Sequence, residues 1–200
     1  MTTAFYATGT GVGSISNNPG STDWATVRNA VSGSGTNVGT GYVEAAIDTG
    51  AANVKYCARY LCPIDTSALG STATITGATL KIYTAGDAVH NFDAVVVATT
   101  PASNTAIAFS DYSAFGTTLQ SNVVQMGAAT DYTFTLNATG LLLINKTGYT
   151  QIGLRNNKYD IEAQSPDYYD YTTILFQSSK YITLTVTYTK PSSGGFLAFM

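Results

Sequence analysis

The clearest pattern in the sequence is a strict alternation of apolar and hydroxyl side chains near the end of the chain. In residues 181–189, Ile182, Leu184, Val186 and Tyr188 occupy every second position, and threonines fill the positions between them. Successive side chains of a β-strand point to opposite sides of the sheet. The segment therefore predicts a strand with one buried face and one face covered by hydroxyls.

The same period of two recurs elsewhere in the chain. Apolar side chains alternate with polar ones at two groups of positions: Ala78, Leu80 and Ile82, and Tyr132, Phe134 and Leu136. Further strands are predicted at residues 24–30, 42–48, 53–62, 92–99, 150–156 and 172–177. Segments rich in Gly, Ser, Asn and Asp, which favour turns, separate them. This pattern predicts an all-β fold, specifically an antiparallel β-sandwich of the jelly-roll type.

One or two short helical turns are expected within this fold. Asn137 can cap a helix whose leucines, in residues 138–145, lie across one end of the sandwich, although a buried strand is an alternative for this segment. A second turn is predicted near residues 110–113. At the end of a predicted strand, Asp65 is suited to a turn in which its carboxylate accepts a hydrogen bond from a nearby backbone N–H.

The length of 200 residues fits a single sandwich domain. We predict an N-terminal arm at residues 1–23, the sandwich at residues 24–189, and a linker with an apolar tail at residues 190–200. The glycine-rich stretch at residues 9–13 lacks the strand and helix that flank a phosphate-binding loop, so it does not predict a phosphate site. We expect it to be part of a flexible arm.

The tail ends in large apolar side chains: Phe196, Leu197, Phe199 and Met200. Such side chains gain roughly 1.5–3 kcal/mol each when they are buried, so we expect another surface to cover them. Two arrangements stay open. The tail folds back on its own sandwich, or it anchors the chain in a neighbouring subunit.

Charged residues make up only 10% of the chain, against about 25% in typical soluble proteins. The net charge of −3 offers no basic surface for nucleic acid. No apolar run is long enough to insert into a membrane, and the first six residues show no secretion signal. We expect a protein of the virion surface or the extracellular space that leaves the cell by lysis, with signal removal as the alternative.

The two cysteines, Cys57 and Cys62, lie five positions apart in one predicted strand. At ~3.3 Å per residue they would be about 16 Å apart and on opposite faces, so they cannot form a disulfide with each other. Neither a histidine nor a second cysteine pair accompanies them, which favours two packed thiols over a metal site.

No residue pattern predicts catalysis. The single histidine, His90, lies in a turn-like stretch without a clear nucleophile, and the carboxylates form no recognisable pair for glycoside hydrolysis. We therefore expect no enzyme activity, no cofactor and no bound metal.

One polar cluster stands out at residues 159–171, where four carboxylates and four tyrosines share a predicted loop. Tyrosines contact ligands at low entropic cost, and carboxylates accept hydrogen bonds from sugar hydroxyls or bind Ca²⁺ through oxygen. The cluster thus suits a glycan or a calcium ion, but the D-x-D-x-D-G spacing of calcium loops is absent, which disfavours calcium. The glycan-contact candidates within this cluster are Asp167, Tyr168, Tyr169, Asp170 and Tyr171. The alternative is a solvated loop whose tyrosines cover an edge of the sandwich.

Two adjacent segments carry a family resemblance. Residues 59–69, RYLCPIDTSAL, precede residues 73–83, ATITGATLKIY, and the two together resemble the motifs R-x-F-L-x-F-D-T-S-x-L and I-x-x-A-x-L-x-L/I-Y of DNRLRE-type β-sandwich domains. Cys62 and Ile64 depart from that pattern, where the family more often has larger or aromatic residues. The resemblance extends over residues 24–189 and implies a jelly-roll-like sandwich, similar to carbohydrate-binding modules, of a kind found in secreted and phage structural proteins. It does not imply one activity.

From these observations we expect a virion structural protein, namely a phage capsid decoration, head-fibre or tail-associated subunit. It would act by protein–protein assembly and surface display, as a homo-oligomer together with other virion proteins. Two alternatives stay open: a carbohydrate-binding module or adhesin, and an extracellular filament subunit.

Overall fold

The computed structural model describes residues 1–21, 23–39, 41–48, 54–84, 92–127, 130–166, 170–174 and 182–191. Its strands are β1 (Thr2–Tyr6), β2 (Gly13–Asn17), β3 (Gly35–Val38), β4 (Gly41–Asp48), β5 (Val54–Asp65), β6 (Thr74–Tyr83), β7 (Phe92–Thr99), β8 (Phe115–Leu119), β9 (Val124–Met126), β10 (Asp131–Thr135), β11 (Tyr149–Asn156), β12 (Asp170–Ile174) and β13 (Ile182–Thr189). The helical elements are α1 (Trp24–Arg28), α2 (Ala138–Leu142), 3-10 turns at Ser67–Leu69 and Phe109–Ser113, and a π turn at Asn157–Ile161.

Within the described ranges the strands form two antiparallel sheets, which confirms the predicted all-β sandwich. The small sheet has the order β1-β13-β6-β10. The large sheet has nine strands: β12-β4-β5-β11-β7-β8 is its main path, β2 pairs with β5 and β3, and β9 pairs with β7. β5 is the longest strand, with 12 residues, and pairs with β2, β4 and β11.

A dry core lies between the two sheets, and we call the side of the large sheet that contacts it the inner face. The predicted alternation is confirmed here, because Leu80, Phe134 and Leu184 are fully buried while the threonines between them face outward. Apolar side chains from β5, β7 and β11 fill the opposite side of this core.

β5 contributes alternate residues to two separate cores. Tyr60 and Cys62 belong to the core between the sheets, whereas Cys57 and Leu61 belong to a second core on the opposite side of the large sheet. Both thiols are buried and free, which confirms that the cysteines lie on opposite faces and do not bridge.

The predicted N-terminal arm is wrong for residues 2–17. β1 extends the small sheet beside β13, with Phe5 in the core between the sheets, and β2 pairs with β5 in the large sheet. Each strand has only one large buried apolar side chain, Phe5 in β1 and Ile15 in β2, so the hydrophobic period is weak. These segments become part of the sandwich because they pair with β13 and β5, and this pairing is not visible in the local sequence.

The predicted strand at residues 24–30 is also wrong, because this segment begins with helix α1. Asp23 caps the helix by accepting a hydrogen bond from the Thr26 backbone N–H at 2.8 Å. Trp24 and Val27, three positions apart, are the buried residues of the helix. This is helical spacing, since residues three apart share one face of a helix.

The two predicted helical turns are confirmed. The Asn137 side chain accepts a hydrogen bond from the Gly140 N–H at 2.9 Å and caps α2. The second turn occupies Phe109–Ser113, where Asp111 is buried and accepts hydrogen bonds from two backbone N–H groups. The predicted turn after β5 is present as well, since the Asp65 carboxylate accepts from the Ser67 N–H at 2.9 Å.

Candidate functional site

The side of the large sheet that points away from the small sheet carries a third layer, which we call the outer layer. It consists of α1, the Phe109–Ser113 turn and the π turn at Asn157–Ile161. Trp24, Val27, Tyr112 and Tyr159 from these elements pack on the sheet and are buried. The large sheet is therefore covered on both faces in this region.

An arginine from the middle of β5, Arg59, holds the outer layer together. Its Nε and Nη2 donate hydrogen bonds of 2.8 Å to the two carboxylate oxygens of Asp160 in the π turn. Nη1 donates to the Tyr112 carbonyl at 2.5 Å, and Nη2 also donates to the Arg28 carbonyl at 2.7 Å. One guanidinium thus joins all three elements of the layer, which suits the fixed fork of five donors that arginine presents.

A second arginine, Arg155 on β11, binds the same carboxylate. Its Nε and Nη2 each donate to an Asp160 oxygen at 2.7 Å, and its Nη1 donates to the Gly116 carbonyl at 2.8 Å. The side chains of Arg59, Arg155 and Asp160 are 5%, 3% and 1% exposed. Together they form a buried ion triad with two positive charges and one negative charge.

The charge state of the triad follows from its contacts. Burial alone would raise the pKa of Asp160, but the positive charges and hydrogen bonds of Arg59 and Arg155 outweigh this effect and lower its pKa to about 2. Burial opposes the charge of Arg59, but the Asp160 carboxylate raises its pKa further above the usual range. Asp160 and Arg59 are therefore charged at neutral pH.

Aromatic side chains surround the triad and fix the outer layer. The Arg59 guanidinium lies 4.2 Å from the centre of the Tyr112 ring, a cation–π contact. The Tyr112 hydroxyl donates to the Val27 carbonyl at 2.9 Å, and the Trp24 indole donates to the Tyr159 carbonyl at 3.0 Å. The Tyr112 hydroxyl and the Trp24 indole N–H therefore donate hydrogen bonds within the outer layer and not to a ligand.

A pocket of about 210 Å³ opens on the surface of the outer layer above the triad. Three arginines line it: Arg28, Arg59 and Arg155. The phenyl ring of Phe115 reaches this region because position 153 of β11 is glycine, where a Cβ would lie 2.5 Å from the ring. We call this concavity the arginine pocket.

Arg28 differs from the other two arginines of the pocket. It is half-buried and donates one hydrogen bond, from Nη1 to the Asp160 carbonyl at 3.1 Å. Its Nε is buried and has no hydrogen-bond partner. Since only Nη1 is used and the residue is half-buried, the Arg28 guanidinium keeps donors for an anionic or carbonyl oxygen.

Most of the candidates from the sequence fall on residues that the structure does not describe. The tail residues Phe196, Leu197, Phe199 and Met200 lie outside the described ranges, as do Asp167, Tyr168 and Tyr169. Asp170 and Tyr171 lie in β12, whose backbone pairs with β4, and their side chains are not described. His90 is outside the described residues too.

The start of the 159–171 cluster is not a solvated loop. Tyr159 and Asp160 are buried in the outer layer, and Glu162 accepts a hydrogen bond from the Asn157 side chain at 2.8 Å. The predicted loop therefore begins with a structural element, the π turn, whose carboxylate pairs with Arg155, five positions earlier, and with Arg59, 101 positions earlier.

The thiols have no feature of reactive cysteines. Burial, with the Asp160 carboxylate as a smaller contribution, raises the pKa of Cys57 to about 12, and burial raises the pKa of Cys62 as well. Thiolates are the reactive form of cysteine, so neither residue is activated at neutral pH. Within the described residues, His, Cys, Asp and Glu side chains form no group of three or more that could hold a metal ion.

Comparisons with protein-family models, with curated proteins and with solved structures found no match to this chain. Among the described residues, no helix has the length and apolar character needed to cross a membrane.

Proposed function

We propose that this chain is a structural subunit that assembles with other proteins through its small sheet, as part of a virion surface. The observation that carries this proposal is the edge strand β1, which pairs on one side only among the described residues. The phage-like sequence motifs and the low charge of the chain support it further.

β1 is the terminal strand of the small sheet and pairs on one side only, with β13, among the described residues. Natural sheets usually protect such edges with lysine, proline or a bulge, because unpaired backbone groups invite pairing with another chain. β1 has none of these devices, since its sequence is Thr-Thr-Ala-Phe-Tyr. Strand addition from a neighbouring subunit would satisfy its free backbone groups.

The outer face of the small sheet is also suited to protein contacts. Its exposed or half-exposed threonines are Thr2, Thr74, Thr76, Thr79, Thr133, Thr135, Thr183, Thr185, Thr187 and Thr189. The charged residues of its four strands are Lys81 and Asp131, which pair at 2.5 Å and cancel. β-branched side chains lose little rotamer freedom in a contact because their χ1 is already restricted.

The alternation of the backbone hydrogen bonds shows which groups of β1 are free. The Met1 carbonyl and the Ala7 N–H bond to β13, at Tyr188 and Ile182 respectively. Because antiparallel pairing repeats every two residues, odd-numbered residues face β13, and the N–H of Ala4 points away from it. Ala4 is exposed, so its side chain does not support the core.

Ala4→Pro tests the proposal, because it removes an outward N–H without removing a hydrogen bond to β13. Sedimentation of the full chain should show a wild-type oligomer and mostly monomeric Ala4→Pro protein. Ala4→Ser, which keeps the N–H, is the matched control and should assemble like the wild type. A wild-type chain that stays monomeric at all concentrations, or equal assembly of both variants, contradicts assembly through β1.

A second experiment tests the virion assignment. Antibodies against the protein should detect it on purified particles, and detection only in the free medium would contradict a virion role. Deletion of residues 191–200 tests the predicted apolar anchor, which should be needed for attachment to the particle or to the next subunit. Unchanged assembly after the deletion would exclude the tail as the anchor and leave β1 as the contact.

A further inference from the structure

The arginine pocket concentrates positive charge on a chain that has little of it. Arg28, Arg59 and Arg155 are three of only nine Lys and Arg residues in the sequence, and they meet in one concavity. Asp160 beneath them supplies one negative charge, so the cluster keeps an excess of two positive charges. Buried and partly buried charges are screened less by salt than exposed ones, so the pocket attracts anions.

The three arginines of the pocket differ in how many of their N–H groups already donate hydrogen bonds within the protein. Arg155 directs Nε, Nη1 and Nη2 to Asp160 and to the Phe115 and Gly116 carbonyls. Arg59 is bound in a similar way to Asp160, Tyr112 and Arg28. These two guanidiniums therefore supply charge and shape, whereas Arg28 is half-buried and donates through Nη1 alone, so its guanidinium can bind a further oxygen.

The rest of the lining is neutral. Asn29, Ser113 and Thr117 present an amide and two hydroxyls, all on exposed residues, whereas Phe115 is buried. Amides and hydroxyls hydrogen-bond to sugar hydroxyls. A bare inorganic anion would use only the arginine.

We propose that the arginine pocket binds a single acidic sugar residue, with the sugar carboxylate against Arg28. Its volume of about 210 Å³ is below the roughly 300–1,000 Å³ of pockets that enclose drug-sized ligands, and it fits one monosaccharide. The site is on the opposite side of the large sheet from the small sheet. An acidic glycan could therefore bind while the small sheet is engaged in assembly.

The test is a titration of the full chain, followed by amide NMR shifts, with glucuronic acid, glucose and inorganic phosphate as separate probes. Glucuronic acid should shift the amides of residues 28–30 and 113–117 and saturate. Glucose, which lacks the carboxylate, and phosphate, which lacks the ring, should each bind at least about tenfold more weakly, because each loses one set of contacts.

Variants separate the site from general charge effects. Arg28→Gln should weaken glucuronic acid at least about tenfold, since a charge-assisted hydrogen bond is lost. Lys81→Gln removes the same charge on the outer face of the small sheet and should change the affinity less than about twofold. Thr117→Val removes one exposed hydroxyl and should weaken glucuronic acid roughly threefold, even if Arg28→Gln does not fold.

Several results would overturn the proposal. Equal affinities for phosphate and glucuronic acid would show an anion site without sugar recognition. Equal losses in Arg28→Gln and Lys81→Gln would show attraction by net charge alone, and the absence of saturable shifts would exclude binding altogether. None of these results depends on whether β1 mediates assembly. The sugar-binding proposal can therefore be contradicted while the assembly proposal stands, and the reverse.

Discussion

The two faces of the large sheet are both buried, but their cores differ in kind. The core on the inner face consists mainly of apolar side chains, such as Leu80, Phe134 and Leu184, packed between two sheets. The outer layer buries apolar side chains around an ion triad, and its cover consists of short helical segments. Two paired sheets hold their core by apolar packing alone, whereas short segments need a charged side chain that reaches several of them at once.

Removal of the central acid should have one of the largest effects on the outer layer. Asp160→Ala leaves two buried guanidiniums without a counter-charge, and we expect a loss of about 3–5 kcal/mol in the free energy of unfolding. Urea unfolding provides the measurement. Asp131→Ala, in the exposed ion pair with Lys81, is the control and should cost at most about 1 kcal/mol. Equal losses would mean that the triad adds nothing beyond a surface pair.

On the inner face, an apolar truncation should have a similar effect for a different reason. Phe134→Ala leaves a cavity in the core between the sheets and should cost about 3–5 kcal/mol. Phe109→Ala in the outer layer is the matched control, because Phe109 is 51% exposed, and it should cost at most about 1 kcal/mol. A small loss in Phe134→Ala would show that the two sheets repack around the gap.

Acid should weaken the outer layer first. The Asp160 carboxyl has a pKa of about 2 in the folded chain against 3.8 for a free aspartate. A lowered pKa stabilises the fold above the unfolded value, and this contribution, about 2 kcal/mol, disappears as the pH falls from about 4 to about 2. Unfolding by urea at a series of pH values measures the loss, whereas a constant stability over this range would refute it.

The exposed carboxylates of Asp23 and Asp65 act in the same direction, since hydrogen bonds from Thr26 and Ser67 lower their pKa values. Asp65→Asn serves as the control for this background. The variant should keep most of the acid sensitivity, because the Asp160 contribution is intact.

Removal of either helix cap should lower the free energy of unfolding by an intermediate amount that is similar for the two cores. Asp23→Ala uncaps α1 in the outer layer and Asn137→Ala uncaps α2 at the end of the sandwich, and each should cost about 1 kcal/mol. Leu142→Ala, at a residue that is 86% exposed, should stay within about 0.5 kcal/mol. Thermal unfolding of the three variants gives the comparison. A much larger loss for Asp23→Ala would show that α1 controls the whole outer layer.

Thiol labelling should reveal the smallest difference, in local opening rather than in global stability. Cys62→Ser leaves Cys57 as a reporter of the outer layer, and Cys57→Ser leaves Cys62 as a reporter of the core between the sheets. Both should resist a thiol reagent in the folded state. Cys57 should nevertheless react faster, because short covering segments open more readily than a paired sheet. Equal rates would mean that both cores open in one event.

The sequence is a good guide to the inner core and a poor guide to the outer one. In β13 and β6 one face is apolar and the other is polar, so alternation alone locates the core, as at Leu184 and Leu80. In β5 both faces are apolar, which indicates a strand covered on both sides but does not identify the cover. Arg59, in the middle of that strand, is the local signal that a buried acid must lie nearby.

The partner of Arg59 could not be predicted from the sequence. Asp160 lies 101 positions away, in a segment whose composition is that of a solvated loop. Its burial depends on the π turn and on the second arginine, Arg155, and neither is visible in local periodicity. The arginine pocket could not be predicted for the same reason, because its lining comes from α1 and the two residues after it, β5, the end of the Phe109–Ser113 turn, β8 and β11.

The division of β5 between two cores also protects the chain from misalignment during folding. A slip of one residue against β11 or β2 would exchange the faces of the whole strand. Arg59 would then enter the apolar space between the sheets, away from the Asp160 carboxylate, at a cost of several kcal/mol. A strand of hydrophobic residues alone would tolerate both alignments, so this single guanidinium acts as a check on correct sheet assembly.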